Sequence, residues 1–486
     1  MSIVAGVDSS TQSCTVELRD ADTGLLRGAG RAPHPATFPP VSEQHPHDWW
    51  NAFETALGRA IADAGIRASE IRAISVAAQC HGLVMVGADG QPLRRAKLWN
   101  DTESAPQARD MVEQLGAAAW ADAIGSVPTA AFTITKLAWI ARHEPSLLAS
   151  TRHVLVPHDY LTFRLTGRAV TDRSDASGTG YFAAHDSAWR TDLLARFVSA
   201  SVAWDSLLPE VLGPDQAAGQ IVPSVADQLG LSRDTVIGPG AGDQHAGALG
   251  VGLSEGDVLY SLGTSGVVLT VSASPVFDHA GNVDGVADAA GGYLPLVSTL
   301  NSTKVTDAVS RWLNADLDEL AQLALEAPDA DRPVFMPYLD GERTPNRPDA
   351  TGVIGGLTTS TTRGDIARAA FEGVLFGLVA GHEAIRAAGA GADGEVVVVG
   401  GGAKSPAYRQ LLADVLRKPI VTKDALEATA RGACIQAAAV LRGVEVTVVR
   451  NAWNPVVIAV TDPRDSRVDV ARDRYELLVR GPGLPR

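Results

Sequence analysis

The length and composition of the chain exclude several broad classes of protein. It has 486 residues, of which 45% are hydrophobic and 20% are charged, as is ordinary for a folded globular protein and not for a disordered one. At about 150 residues per domain, this length predicts two large domains or three smaller ones. The formal net charge of −15 argues against unselective binding to nucleic acid or anionic membranes, because both need a positive field.

Cysteine usage and the N-terminal residues predict a cytoplasmic protein. Cys14, Cys80 and Cys434 are odd in number and far apart, so they form neither a disulfide framework nor a zinc pattern. The first residues lack the basic and long apolar regions of a secretory signal. No uninterrupted apolar run reaches the ~20 residues that span a bilayer. We therefore expect a soluble protein in a reducing compartment, with neither a membrane nor nucleic acid as its partner.

The first half of the chain alternates predicted strands and helices. Apolar runs and period-two alternation mark the strands, and an apolar face at helical spacing marks the first helix. The predicted elements are strands over 3–7 and 15–18, a helix over 47–65, strands over 71–78 and near 153–157, and a helix near 159–166. Such alternation predicts an α/β architecture.

The second half repeats this pattern in kind. A strand, a turn of Gly, Ser and Thr, and a second strand over 258–271 echo residues 3–18, which we interpret as two related halves. Two unrelated hairpins are the alternative. The further predicted elements are a helix over 365–388, a strand over 396–399 and helices over 406–416 and 427–442.

Several familiar signatures are absent from the sequence. It has no G-x-x-x-x-G-K-[ST] loop, no C-x-x-C or H-E-x-x-H zinc motif and no G-x-S-x-G elbow. One G-x-G-x-x-G occurs at 389–394, but it follows a predicted helix and precedes a strand. Dinucleotide binding requires the reverse order, so we interpret this segment as a loop.

Two turns rich in small residues are candidates for binding phosphate. Asp8 ends the first predicted strand and is followed by a turn that contains Ser10 and Thr11. Backbone N–H groups in such a turn can face phosphate oxygens while the carboxylate holds Mg²⁺ through water. The turn over 263–266 offers the same chemistry, and the two turns facing each other would form a phosphate clamp. An Asx or Ser/Thr turn without a ligand is the alternative for Asp8.

Two further segments suggest a nucleotide and a catalytic base. Residues 400–403 are glycine-rich and lie between a strand and a helix, with Ser405 at the helix N-cap position. Bare backbone there allows adenine or ribose to lie against the chain, although a plain tight turn explains it equally well. Asp243 lies in a glycine-rich loop, where a carboxylate could take a proton from a substrate hydroxyl, an effect of roughly 10²–10⁴ in rate. A surface turn is the alternative.

Polar residues follow the central strand, at the position where open α/β sheets bind ligands. Gln79 and His81 can hydrogen-bond a polyol, whereas Cys80 fits a packed thiol better than a nucleophile. The segments 99–101 and 172–175 either add polar contacts or close turns, and the sequence leaves both interpretations open.

Taken in order, these motifs resemble those of the FGGY family of carbohydrate kinases, and most closely the branch of that family that acts on xylulose. The resemblance extends from Ala5 to about Leu441. The segments that carry it are 6–12, 79–82, 98–101, 157–161, 174–179, 242–244, 261–266, 337–345 and 400–405.

This resemblance implies an architecture and a reaction. It implies two actin-like (ribonuclease H-like) domains with ATP in the cleft between them. Residues 1–246 would hold the sugar site and first phosphate turn, and residues 247–486 the second phosphate turn and adenosine site. The implied reaction moves the γ-phosphate of MgATP to the terminal hydroxyl of D-xylulose, giving D-xylulose 5-phosphate. Such a transfer needs positioning and charge neutralisation more than covalent catalysis. A homodimer is an option that the sequence leaves open.

The resemblance also implies roles for individual residues. Asp8 and Asp243 are the expected catalytic residues and Mg²⁺-binding carboxylates, with Asp243 as the general base. The expected sugar-binding residues are Gln79, Cys80, His81, Asp243 and Gln244. The expected nucleotide-binding residues are Ser10, Thr11, Gly263, Thr264, Ser265, Gly401, Gly402, Ala403 and Ser405.

Three departures from the pattern of this branch bear on the sugar. Cys80 replaces a usual Met, Gln244 replaces a usual Asn, and Cys14-Thr15 replaces a Lys that is frequent in relatives. An FGGY kinase for ribulose, glycerol or another polyol is therefore an alternative. A non-catalytic sugar or nucleotide sensor on the same fold is less favoured, because a sensor needs no base.

Overall fold

Two large mixed sheets organise the computed structural model, which describes residues 2–328 and 332–481. The strands of the first sheet are β1 (Ile3–Ser9), β2 (Ser13–Asp20), β3 (Leu26–Pro33), β4 (Ile71–Ala78), β5 (Gly219–Gln220), β6 (Val236–Ile237) and β7 (Ala241–Gly242). The strands of the second sheet are β8 (Val258–Leu262), β9 (Gly266–Thr270), β10 (Leu296–Thr299), β11 (Val396–Val399), β12 (Ile420–Lys423) and β13 (Val457–Thr461).

The two sheets share the order of five strands and differ at one outer edge, where β5 precedes its neighbour β6 in the chain but β13 follows its neighbour β12. The first runs β5-β6-β4-β1-β2-β3 with β7 also paired to β4, and the second runs β10-β9-β8-β11-β12-β13. In each sheet three consecutive antiparallel strands come first, and the first of these pairs in parallel with a strand that returns later. The predicted α/β class and the interpretation of two related halves are therefore confirmed.

Helices cover these sheets and connect them. They are α1 (Pro46–Ala64), α2 (Ala105–Leu115), α3 (Ala117–Ile124), α4 (Thr133–His143), α5 (Pro145–Ser150), α6 (Pro157–Thr166), α7 (Arg173–Ser177), α8 (Thr191–Phe197), α9 (Pro223–Leu229), α10 (Asp243–Val251), α11 (Thr303–Leu313), α12 (Leu317–Glu326), α13 (Arg363–Ala387), α14 (Pro406–Leu416), α15 (Ala428–Arg442), α16 (Val446–Ala452) and α17 (Val468–Arg480). Short strand pairs join Glu43–Gln44 to Ala96–Lys97, Val84–Val86 to His153–Leu155, Val170–Asp172 to Glu210–Leu212, Phe182–Ala183 to Ala188–Trp189, and Val334–Met336 to Val353–Gly355.

The long elements agree with the sequence pattern to within a few residues. Helix α1 buries Trp50, Phe53 and Leu57 against the first sheet, as its apolar face predicts, and ends at Gly65 with φ 63°. Helix α6 begins two residues earlier than expected because Pro157, which needs no N–H partner, occupies its first turn. Residues 389–394 connect α13 to β11 outside any helix or strand, as predicted.

Helices α10 and α15 cross so closely that only glycine fits at the contact. A Cβ on Gly250 would lie 1.8 Å from the carbonyl oxygen of Ala428, and one on Gly432 would lie 1.8 Å from that of Ala246. Helix α15 follows the second sheet in the chain but packs against the first, where a Cβ on Gly6 would meet Ala430 O at 2.0 Å. This crossing therefore joins the two halves.

The predicted domain boundary between residues 246 and 247 stays a prediction. Both residues lie inside α10, at the crossing that joins the halves. Among the residues that the structure describes, no helix is long and apolar enough to cross a membrane.

Gly432→Ala should lower the free energy of unfolding by about 1–3 kcal/mol, because its Cβ overlaps backbone that cannot move aside. Urea denaturation followed by circular dichroism measures this. The matched control is Gly58→Ala in α1, where nothing lies within 4 Å of the new Cβ. That change should raise the free energy of unfolding by about 0.5–1 kcal/mol. Equal effects of the two substitutions would contradict the assigned helix contact.

Candidate active site

Three chain segments meet at one edge of the first sheet. Strands β1 and β7 both run parallel to β4, and their registers place Ser9 and Gly242 beside Ala78. The segments that follow these three strands are residues 10–12, residues 79–82 and Asp243. Because the carboxyl ends of parallel strands share one edge of a sheet, the fold brings the predicted turn, sugar segment and base together.

Asp8 lies near the end of β1 in a negatively charged environment. Its Oδ1 is buried and has no hydrogen-bond partner among the described residues. Burial raises the pKa of Asp8 well above its usual range, and the nearby carboxylates of Asp243 and Glu427 raise it further. Glu427, which immediately precedes α15, was not predicted, because only the packing of α15 on the first sheet brings it near Asp8.

The turn after β1 has backbone N–H groups to spare. Within the described ranges, no backbone hydrogen bond uses the N–H of Ser10, Thr11 or Gln12. The Thr11 hydroxyl is engaged, since it donates to Gln79 Oε1 at 3.3 Å and accepts from Trp99 Nε1 at 2.9 Å. The groups available to an anion at this turn are therefore main-chain donors.

Asp243 begins α10 and is held on one of its two oxygens. Oδ1 accepts the N–H of Gln244 at 2.8 Å and the thiol of Cys80 at 3.4 Å. Burial raises the pKa of Asp243 to about 6, although the hydrogen bonds from Cys80 and Gln244 oppose the increase. The side chain is thus a carboxylate at neutral pH, at a helix N-terminus that favours negative charge.

The other residues of the predicted sugar segment differ in accessibility. His81 adopts φ 66°, its ring lies tilted against that of Phe132, and its Nδ1 donates to Gly178 O at 2.5 Å. Burial lowers the pKa of His81 to about 4, so the ring is neutral and Nε2 is left as an acceptor. Gln79 is only 1% exposed, and its amide is bonded to Thr11 and Gln44. Gln244 is exposed.

The second half carries a comparable turn after β8. The N–H of Gly263 donates to Ser265 O at 3.1 Å, and the carbonyl of Gly263 accepts both donors of Thr303. In the described part of the chain, no backbone hydrogen bond uses the N–H of Thr264 or Ser265, and both residues are exposed. This turn therefore also presents main-chain donors that can bind an anion.

The glycines after β11 lie directly against β8. Gly400 has φ 89°, and a Cβ there would lie 2.7 Å from Leu262 O, so the position requires glycine. Gly401 is exposed and Gly402 is buried against Leu262, with Ala403 half-buried beside them. Ser405 occupies the N-cap position of α14 as predicted, but its side chain makes no capping hydrogen bond. Its buried Oγ has no partner among the described residues.

A buried network of charged side chains, His158, Asp159 and Asp175, supports the loop before Asp243. The sequence motifs did not predict this network. His158 Nδ1 lies 2.8 Å from Asp175 Oδ2, and its Nε2 lies 3.1 Å from Asp159 Oδ1. Burial alone would lower the pKa of His158, but Asp159 and Asp175 raise it above the ordinary value. Gly240 packs on this imidazole so closely that its Cβ would lie 2.3 Å from His158 Cδ2.

The segments 99–101 and 172–175, for which the sequence allowed either polar contacts or closed turns, contain examples of both. Asp101 is fully buried and accepts from Ser42 N and Lys97 Nζ, and Asp172 accepts the N–H groups of Ser174 and Asp175 at the start of α7. Asp101 also accepts the N–H of Glu103 at 3.2 Å, so both carboxylates hold local backbone, and Asp101 in addition ties its segment to Ser42 and Lys97. Trp99 is different, because it is 36% exposed and its indole reaches Thr11 in the first turn.

The two sheets share the order of five strands, and each has a turn with free N–H groups after its first strand. Together with the neighbouring carboxylates of Asp8 and Asp243, these turns fit the transfer of a phosphoryl group. The model of the FGGY family of carbohydrate kinases, N-terminal domain, matches residues 3–250, and the model of its C-terminal domain matches residues 258–441. The chain belongs to this family of ATP-dependent carbohydrate kinases, as the sequence motifs predicted.

Individual relatives match along almost the whole chain. The xylulose kinase of Streptomyces coelicolor is 42% identical over 464 residues, which are 95% of this chain and 92% of the relative. That of Streptomyces rubiginosus is 40% identical over 490 residues, or 99% and 98% of the two chains. The crystal structure of xylulose kinase from Bifidobacterium adolescentis superposes with a TM-score of 0.87 at 37% identity, covering 99% of both chains. The two-domain kinase fold is therefore confirmed.

Gly242→Ala should lower kcat at least about tenfold while the protein stays folded. The new Cβ would lie 2.5 Å from Cys80 Sγ and 2.6 Å from His245 Nδ1, and would push the thiol away from Asp243. Steady-state kinetics of phosphoryl transfer measures this loss. Gly247→Ala, five residues further on in α10 with its nearest neighbour at 3.5 Å, is the matched control and should stay within about twofold of wild type. If Gly242→Ala behaves like this control, the assigned packing is wrong.

Proposed function

We propose that this kinase transfers the γ-phosphate of ATP to D-xylulose and forms D-xylulose 5-phosphate. The observation that carries the proposal is the 40–42% identity to two xylulose kinases over 95–99% of the chain. The site is consistent with it, because a carboxylate base, a second carboxylate and two turns of main-chain donors are the parts that phosphoryl transfer requires. The predicted cytoplasmic location and the homodimer stay predictions.

Asp243 is the general base in this proposal. Its pKa of about 6 leaves the carboxylate charged at neutral pH and still basic enough to accept the proton of a sugar hydroxyl. Oδ1 is already hydrogen-bonded to Gln244 and Cys80, so we assign the incoming proton to Oδ2. Cys80 and His81 line the sugar side, with Nε2 of His81 as an acceptor for a hydroxyl. Gln79 would act indirectly, because its amide is buried and bonded.

Asp8 and Asp243 are the carboxylates that we propose for Mg²⁺. The unpartnered, buried Oδ1 of Asp8 fits a cation, and carboxylate oxygens are ligands that Mg²⁺ prefers. A bound Mg²⁺ ion would supply neutralisation of the phosphate charge. Glu427 strengthens the negative potential that would attract a cation to this position.

The nucleotide would lie between the two halves. We assign the free N–H groups of Ser10 and Thr11 in the first turn, and those of Thr264 and Ser265 in the second, to phosphate oxygens. Gly263 shapes the second turn through its bonds to Ser265 and Thr303. The adenosine would lie against Gly401, Gly402 and Ala403, where the unpartnered Oγ of Ser405 offers a hydrogen bond.

A different ketose or polyol is the second candidate substrate. Cys80 and Gln244 border the sugar side of Asp243, and both differ from the residues usual in the xylulose-specific branch. ADP release with MgATP across D-xylulose, D- and L-ribulose, L-xylulose and glycerol tests the substrate directly. A clear preference for D-xylulose supports the proposal, and a preference for another sugar would contradict it. No turnover with any sugar, together with retained ATP binding, would favour the sensor.

Asp243→Ala and Asp243→Asn should each lower kcat at least about 10²-fold while ATP binding persists, because general-base catalysis contributes about 10²–10⁴. Kinetics and nucleotide calorimetry measure the two effects. Because burial holds the pKa of Asp243 above its unfolded value, the charged carboxylate costs stability as pH rises through about 6. Asp243→Asn should therefore be at least as stable as wild type at pH 7. Retained turnover in both variants would refute the assigned base.

The rate should depend on pH through the same carboxylate. Below about pH 6 Asp243 takes up a proton and cannot accept one from the sugar, so kcat/KM, which reports the free enzyme, should fall about tenfold per pH unit. Above that pH the rate should reach a plateau. The residual rate of Asp243→Asn should lack this acidic limb. A wild-type profile that stays flat from pH 7 down to pH 4.5 would contradict the prediction.

A further inference from the structure

A chain of side-chain hydrogen bonds links an exposed tryptophan to the first phosphate turn. The indole N–H of Trp99 donates to the hydroxyl of Thr11 at 2.9 Å, and this hydroxyl donates to Gln79 Oε1 at 3.3 Å. Gln79 in turn donates to Gln44 Oε1 at 3.3 Å, and Gln44 Nε2 donates back to the carbonyl of Thr11 at 2.9 Å. The hydroxyl and the carbonyl oxygen of Thr11 therefore both accept hydrogen bonds in this series, which holds the turn from two sides.

The same chain reaches the sugar side of the site. Gln79 is followed directly by Cys80, whose thiol donates to Asp243 at 3.4 Å. At the other end, Trp99 is 36% exposed beside the turn, with its ring open to solvent. One continuous set of contacts thus connects the ring of Trp99, the phosphate turn and the segment that borders the base.

The side chains in this series of hydrogen bonds differ in their exposure to solvent. Gln79 and Gln44 are buried, so their bonds are protected from water, whereas Trp99 and Thr11 are accessible and their bond competes with water. A ligand that covers Trp99 would exclude that water and strengthen the bond to Thr11. The turn would then be held more firmly, with its free N–H groups ready for phosphate.

We propose that Trp99 is a positioning residue that couples sugar binding to the first phosphate turn through the hydroxyl of Thr11. The proposal rests on the proposed function, since it takes the ligand beside Trp99 to be the acceptor sugar. Sugar bound in the cleft covers the indole, the Trp99–Thr11 bond strengthens, and the turn binds the nucleotide phosphates more tightly. Because coupling is reciprocal, nucleotide also tightens the binding of sugar.

Calorimetry with a non-hydrolysable ATP analogue and Mg²⁺, with and without saturating D-xylulose, tests this coupling. In wild type the sugar should increase nucleotide affinity at least about fivefold. Trp99→Phe keeps an aromatic ring of smaller size but has no N–H, and Thr11→Val keeps the shape but removes the hydroxyl. Both should reduce the ratio to within about twofold of unity. Thr11→Ser keeps the hydroxyl and should retain the coupling, as should Trp312→Phe, a change at a 56% exposed tryptophan on α11.

The possible results separate coupling from simple bracing. If Trp99→Phe and Thr11→Val weaken nucleotide binding equally with and without sugar, the chain is only a structural brace and the proposal is overturned. A wild-type ratio near unity overturns it as well. Phosphorylation of D-xylulose by the same preparation reports separately on the proposed function. If that reaction occurs without coupling, only the present proposal falls; if another panel sugar is the substrate, the ratio is measured with that sugar.

Discussion

The parallel pairing of β1 and β7 with β4 is the constraint on which the site depends. Its register sets Ser9 and Gly242 beside Ala78, so the residues after each strand emerge at one edge. A shift of one residue in either pairing would turn every side chain of the shifted strand to the opposite face of the sheet. Asp8 and Asp243 come from positions more than two hundred residues apart and meet only because this register is fixed by the buried apolar faces of the strands.

Bringing these carboxylates together is electrostatically unfavourable, and the proposed reaction can make use of this. Asp8, Asp243 and Glu427 carry like charges in a partly desolvated region, and burial together with their mutual repulsion raises the pKa of Asp8. The hydrogen bonds from Cys80 and Gln244 oppose the same tendency at Asp243, whose pKa is therefore raised only to about 6. In the proposed mechanism a cation would relieve the repulsion, and the difference between the two carboxylates would let Asp8 favour charge neutralisation while Asp243 accepts a proton.

Local patterns predicted the elements that depend on local sequence. The apolar stripe of α1, the strand of β4 and the turn after Asp8 follow from periodicity and turn chemistry, and the family motifs located the candidate base at Asp243. Features created by long-range packing were not predictable in this way. Glu427 reaches Asp8 only because α15 crosses to the first sheet, and Gln79 is diverted from solvent by Gln44 and Thr11. The sequence likewise could not show that Ser405 leaves its helix uncapped.

The crossing of α10 and α15 also fixes the position of Asp243. Asp243 is the first residue of α10, and the hydroxyl of Thr429, at the start of α15, donates to its carbonyl at 3.2 Å. Backbone contact at Gly250 and Gly432 leaves no room for a side chain between the two helices. The start of α10, which carries the proposed base, is therefore held by direct contact with the helix that also brings Glu427 near Asp8. One packing contact thus links the position of Asp243 to the negative potential at Asp8.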